Sequence, residues 1–72
     1  MELYIESNIE DEFQGWDDDK TFKLDNGTEW ELANYTYSYM YAYRPKAKIW
    51  IDAGRYYLEV EGMSDKVQVN QI

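Results

Sequence analysis

The stretch Phe22-Lys23-Leu24-Asp25-Asn26-Gly27-Thr28-Glu29-Trp30-Glu31-Leu32 sets two runs of alternating apolar and polar residues around an Asp-Asn-Gly turn signal. A two-residue turn on Asn26-Gly27 would place Asp25 opposite Thr28, Leu24 opposite Glu29 and Lys23 opposite Trp30, mixing the apolar and charged faces. A three-residue loop with Gly27 in the left-handed conformation places Leu24 opposite Thr28 and Phe22 opposite Trp30 instead. The second register recovers an apolar cross-strand pair, so it is the one expected.

Outward from this hairpin the same period of two returns. Trp30 alternates with Leu32; Ala47, Ile49 and Ile51 form a set, as do Tyr56, Leu58 and Val60, and then Val67 and Val69. Turn signals fall between the sets at Arg44-Pro45, Asp52-Ala53-Gly54 and Gly62 through Asp65. The last three runs read as a continuous antiparallel meander, with Tyr57, Glu59 and Glu61 on its wet side. The expected fold is all-β: one domain over residues 1–72, either a small strongly bent antiparallel sheet or a five-stranded Src-homology-3-like barrel.

Composition bounds the chemistry. With 72 residues the core is only marginally sufficient, and the absence of cysteine and histidine removes disulfides, the usual zinc ligands, cysteine nucleophiles and histidine bases. Self-association is the remaining support, so a homo-oligomer is expected. The amino-terminal run MELYIESNIEDEF is acidic where a secretory leader would be basic and then apolar, which gives a cytoplasmic expectation. Fifteen acidic against seven basic residues, net −8, repel nucleic-acid phosphates and anionic membranes. Lys46 and Lys48, flanked by Arg44 and Arg55, are the candidates for a local basic face.

From Tyr35 to Tyr43 a tyrosine stands at every second position: Tyr35, Tyr37, Tyr39, Tyr41 and Tyr43. In an extended chain these five share one face, with Thr36, Ser38, Met40 and Ala42 on the other. Nine residues at about 3.3 Å each span roughly 30 Å, more than a small barrel covers evenly. The stripe is expected to form core and subunit interface, because tyrosine offers large apolar area while its hydroxyl stays wet. The alternative is an aromatic groove for a peptide, a sugar or an unstacked base, of which a basic or proline-rich peptide suits an acidic groove best. Trp16 and Trp50 complete the candidate ligand or interface set. Trp50 is the tryptophan expected at the surface, since it shares its face with Lys46, Lys48 and Asp52.

The carboxylates of Glu10-Asp11-Glu12 and Asp17-Asp18-Asp19 flank Gly15-Trp16 without the spacing of a calcium loop. Solvated charge is the expectation, with no metal and no cofactor. A carboxylate-based hydrolase is the last-ranked reading, as so small a chain leaves little room for an enclosing cleft.

The series Phe13-Gln14-Gly15-Trp16, Phe22 through Gly27, Trp30, and Tyr35 through Pro45 resembles a group of short uncharacterised bacterial proteins, some carried on mobile gene cassettes. Its distinguishing features are the N-G-x-x-W turn and the tyrosine-alternating strand. The group has no established activity, so the resemblance carries over no functional residue. Taken together, the sequence leads to a noncatalytic, self-associating binding or adaptor module with an aromatic surface. The alternative is an acidic decoy that imitates nucleic acid and occupies a basic protein.

Overall fold

The structure, a computed structural model, describes residues 1–17 and 19–72. Among them are eight strands and no helix: β1 (Glu2–Asn8), β2 (Glu12–Phe13), β3 (Thr21–Lys23), β4 (Glu29–Leu32), β5 (Ala42–Tyr43), β6 (Lys46–Asp52), β7 (Arg55–Val60) and β8 (Val67–Gln71). No helix is long and apolar enough to cross a membrane.

The hairpin of β3 and β4 has the expected register, with Phe22 opposite Trp30. The Leu24 N–H donates to the Thr28 carbonyl at 2.9 Å, and the Gly27 N–H donates to the Leu24 carbonyl at 3.0 Å. Gly27 has φ +87°, which a side chain rarely adopts. Inside the loop, Asn26 Oδ1 accepts from the Thr28 N–H at 3.1 Å and from the Thr28 hydroxyl at 2.6 Å. That hydroxyl oxygen in turn accepts from Trp30 Nε1 at 2.9 Å, which ties the turn to the core. A Cβ on Gly27 would meet nothing within 4 Å, so only backbone strain opposes one. Gly27→Ala is therefore expected to cost about 1–2 kcal/mol in chemical denaturation, and an unchanged stability would reject the left-handed loop.

β6, β7 and β8 form the expected meander, joined first by a two-residue turn on Ala53 and Gly54, both with positive φ, that leaves Asp52 opposite Arg55. β8 then pairs with β4, and the sheet runs in the order β1-β6-β7-β8-β4-β3. Six strands stand where the barrel expectation had five, because the amino-terminal run also forms a strand and pairs antiparallel with β6. Its end reaches round to the far side of the sheet. Ile9 bridges Leu24, the Glu10 N–H donates to the Lys23 carbonyl at 2.8 Å, and the Asp25 N–H donates to the Asn8 carbonyl at 2.9 Å. These contacts close the bent sheet between its first and last strands.

Inside lie Leu24, Trp30, Ile49, Leu58 and Val60, all without solvent exposure, together with Ile9, Phe13, Trp16, Phe22, Ala47 and Val69. Each buried Leu, Ile, Val or Phe among them contributes about 1.5–3 kcal/mol by leaving water. The aromatic part of the core is packed edge to face: Trp16 meets Phe13 at 5.2 Å and Phe22 at 5.5 Å, and Trp30 meets Tyr56 at 5.2 Å between ring centroids.

Candidate functional site

A second, two-stranded ribbon lies against the barrel and carries the tyrosines. β2 pairs antiparallel with β5, Glu12 opposite Tyr43 and Phe13 opposite Ala42. The pairing resumes further along, where Trp16 and Ser38 exchange backbone hydrogen bonds of 2.8 and 3.1 Å. Phe13 and Trp16 are three residues apart, so unbroken alternation would send them to opposite faces. Gly15, at φ +94°, resets the chain and lets both rings enter the core. Arg44, itself at φ +51°, fixes the end of the ribbon to the barrel: Nη2 pairs with the Asp25 carboxylate and Nη1 donates to the Glu10 carbonyl at 2.8 Å. The Arg44 carbonyl accepts from Asn8 Nδ2 at 3.0 Å.

On this ribbon the inward face is the one with Thr36, Met40 and Ala42, each half-buried. Met40 packs on the core and lies over Gly62, where an added Cβ would come within 2.9 Å of its sulfur. The tyrosines occupy the other face. Tyr35, Tyr37, Tyr39, Tyr41 and Tyr43 are 67, 63, 65, 54 and 66% exposed. The part of the expectation that assigned the stripe to the core is thus corrected within the single chain: Phe13, Trp16 and Phe22 already fill the space beneath the ribbon, and five more rings have no room there. What remains is an outward rib of phenols. Because its centre touches solvent, Tyr39→Ala is expected to change unfolding free energy by less than about 1 kcal/mol, and a loss of several kcal/mol would place Tyr39 in a packed interior.

The rib has an acidic flank. The Tyr41 hydroxyl donates to Glu12 Oε1 at 3.4 Å. The charge of Glu12, with smaller contributions from desolvation, that hydrogen bond, Asp11 and Tyr39, holds the Tyr41 phenol above the ordinary tyrosine range. Beside β2 is a depression of about 460 Å³ bounded by Glu10, Glu12, Phe13, Gln14, Lys20 and Phe22, among others. Lys20 Nζ donates to Gln14 Oε1 at 3.3 Å across its rim. Among the described residues no three acidic side chains converge as a metal site, and Asp18 of the Asp17-Asp18-Asp19 string lies outside them.

The two tryptophans of the candidate set part company. Trp16 is 2% exposed and belongs to the core beneath the rib, its Nε1 having no hydrogen-bond partner among the described residues. Its neighbour Gly15 was the available signal, since a glycine can reset alternation. Trp50 is half-buried on the outer face of β6, donates from Nε1 to Glu59 Oε1 at 2.9 Å, and has Lys66 Nζ 5.6 Å from its ring centroid. Leu3 and Tyr57 stand opposite Trp50 on either side, making a short apolar row. The local basic face is interrupted, for Lys48 lies between Glu6 and Glu59 on the neighbouring strands. Comparison with protein-family models, with curated proteins and with solved structures returns no match for this chain.

Proposed function

We propose that this chain is a noncatalytic binding or adaptor module whose working surface is the tyrosine rib. The observation that carries this is the outward presentation of Tyr35, Tyr37, Tyr39, Tyr41 and Tyr43 by a ribbon whose opposite face is anchored in the core. Exposed aromatic rows of this kind are what partner surfaces bury, since each ring gives large area at small entropic cost. Self-association belongs to the same proposal and falls to the Leu3, Trp50 and Tyr57 row, because the acidic flank of the rib would repel its own copy.

The test is retention of the chain on peptide and glycan arrays. Retention is expected to disappear when Tyr37, Tyr39 and Tyr41 are all changed to serine, with the fold intact by chemical denaturation. Retention indifferent to the tyrosines but lost on neutralising Glu10, Asp11 and Glu12 would replace this reading by the acidic decoy. Sedimentation equilibrium tests the assembly: a mass above one chain is expected at micromolar concentration, and Leu3→Glu is expected to return it to one chain.

A further inference from the structure

We infer that the free edge of the tyrosine rib accepts, as an added antiparallel strand, an extended segment of a basic protein with arginine or lysine at alternate positions; this rests on the rib being the binding surface.

The edge itself is the first observation. Ser38 turns both its N–H and its carbonyl to Trp16, and the Arg44 N–H donates to the Asp11 carbonyl at 3.1 Å. Alternation then directs the backbone groups of Tyr37, Tyr39 and Tyr41 to the opposite edge. Their N–H groups have no hydrogen-bond partner among the described residues. An unpaired edge of this kind is a template for strand addition.

Charge selects the occupant. Residues 10–19 carry six acidic side chains, Glu10, Asp11, Glu12, Asp17, Asp18 and Asp19, and no basic one, while residues 33–43 carry no charge. These two runs of sequence together carry −6 of the chain's net −8, and of the described carboxylates Glu12 lies beside Tyr41. Of the cations near it, Arg44 is engaged with Asp25 and the Glu10 carbonyl and Lys20 with Gln14, and Lys23 borders the same depression as Glu10 and Glu12. A second copy pairing here would set two such acidic ribbons side by side, whereas a basic strand finds complementary charge. In antiparallel pairing, residues directly opposite share a face, so arginines opposite the tyrosines lie among their rings. Guanidinium groups stack on phenol faces, and Glu12, beside Tyr41, is in place to pair with one of them.

The probes are four labelled seven-residue peptides: arginine alternating with threonine, the same with glutamate for arginine, and the arginine peptide N-methylated on either its arginine or its threonine amides. The readouts are fluorescence anisotropy and the backbone amide shifts of Tyr37, Tyr39 and Tyr41. Antiparallel pairing aims the arginine N–H groups at the rib, so methylating them is expected to weaken binding about tenfold or more, and methylating threonine amides by no more than about twofold. The glutamate peptide is expected to bind at least about tenfold more weakly than its arginine counterpart. Changing Tyr37, Tyr39 and Tyr41 to serine is expected to cost the arginine peptide about tenfold although the net charge is unchanged.

Equal sensitivity to the two methylations, or none to either, would overturn strand addition and leave diffuse attraction between charges. Binding that ignores the tyrosines would overturn it too, as would a rib occupied by a second copy that the arginine peptide cannot displace. If the arrays retain the chain through its tyrosines while the arginine peptide does not bind, only this inference falls. If the arrays show no dependence on the tyrosines, the reading beneath it falls as well.

Discussion

Gly15→Ala is expected to remove at least about 3 kcal/mol of stability, a large share of the roughly 4–11 kcal/mol that a domain of this length holds. Two effects act together at this position. Gly15 has φ +94°, so any side chain there is strained. A Cβ would also lie 1.9 Å from the Ser38 carbonyl oxygen, 2.9 Å from its carbon and 3.0 Å from the Met40 nitrogen, all of them backbone atoms. Backbone cannot swing aside as a flexible side chain can. The ribbon must either part at the Trp16–Ser38 pair or withdraw Trp16 from the core. Chemical denaturation followed by tryptophan fluorescence measures the loss, and a stability within about 1 kcal/mol of the parent chain would reject this close approach.

Trp30→Ala is expected to cost about 3–5 kcal/mol. Trp30 is fully buried, stacks edge to face on Tyr56, and stands opposite Phe22 and Gln71 on the two neighbouring strands. Its removal leaves a cavity that the sheet cannot close, because Phe22 and Tyr56 are held by their own strands. Trp30→Phe keeps much of the ring and is expected to cost less, although it still deprives Thr28 Oγ1 of its 2.9 Å donor. The pair is measured by the same denaturation experiment. Equal losses for alanine and phenylalanine would assign the effect to the hydrogen bond and not to the ring.

The parts of the fold governed by neighbours in the chain were legible. Phe22, Asn26, Gly27 and Trp30 determine one hairpin between them, because only one loop length puts apolar residues opposite each other. The β6-β7-β8 meander followed from the same period and from Asp52-Ala53-Gly54. What escaped was long-range. Nothing local to MELYIESN says that it pairs with KAKIWID, and nothing in Leu32 says that Val69 is its partner. In the tyrosine stretch, alternation assigns five rings to one side but does not say which side is wet. That choice was made elsewhere, by Phe13 and Trp16, which fill the interior first, and by Met40, whose sulfur occupies the space left by Gly62. Trp16, a member of the candidate ligand or interface set, lies in the core instead, because Gly15 before it turns its ring to the same side as Phe13.

The seam between Ile9 and Leu24 divides the molecule in time as well as in space. The β6-β7-β8 meander joins strands through short turns, so its closure entropy is small and its pairing is accessible early in folding. Joining β1 to β6 instead closes a loop of several dozen residues, and the seam is sealed only when both ends of the sheet are present. The amides of Glu10 and Asp25 that cross the seam are consequently expected to exchange with the first cooperative opening of the barrel, and those of Ile49 and Leu58 at its centre only with unfolding of the whole chain, as native-state hydrogen exchange measures. The barrel is a hoop with a clasp, and its lifetime under proteolysis or heat is expected to follow the lifetime of the clasp.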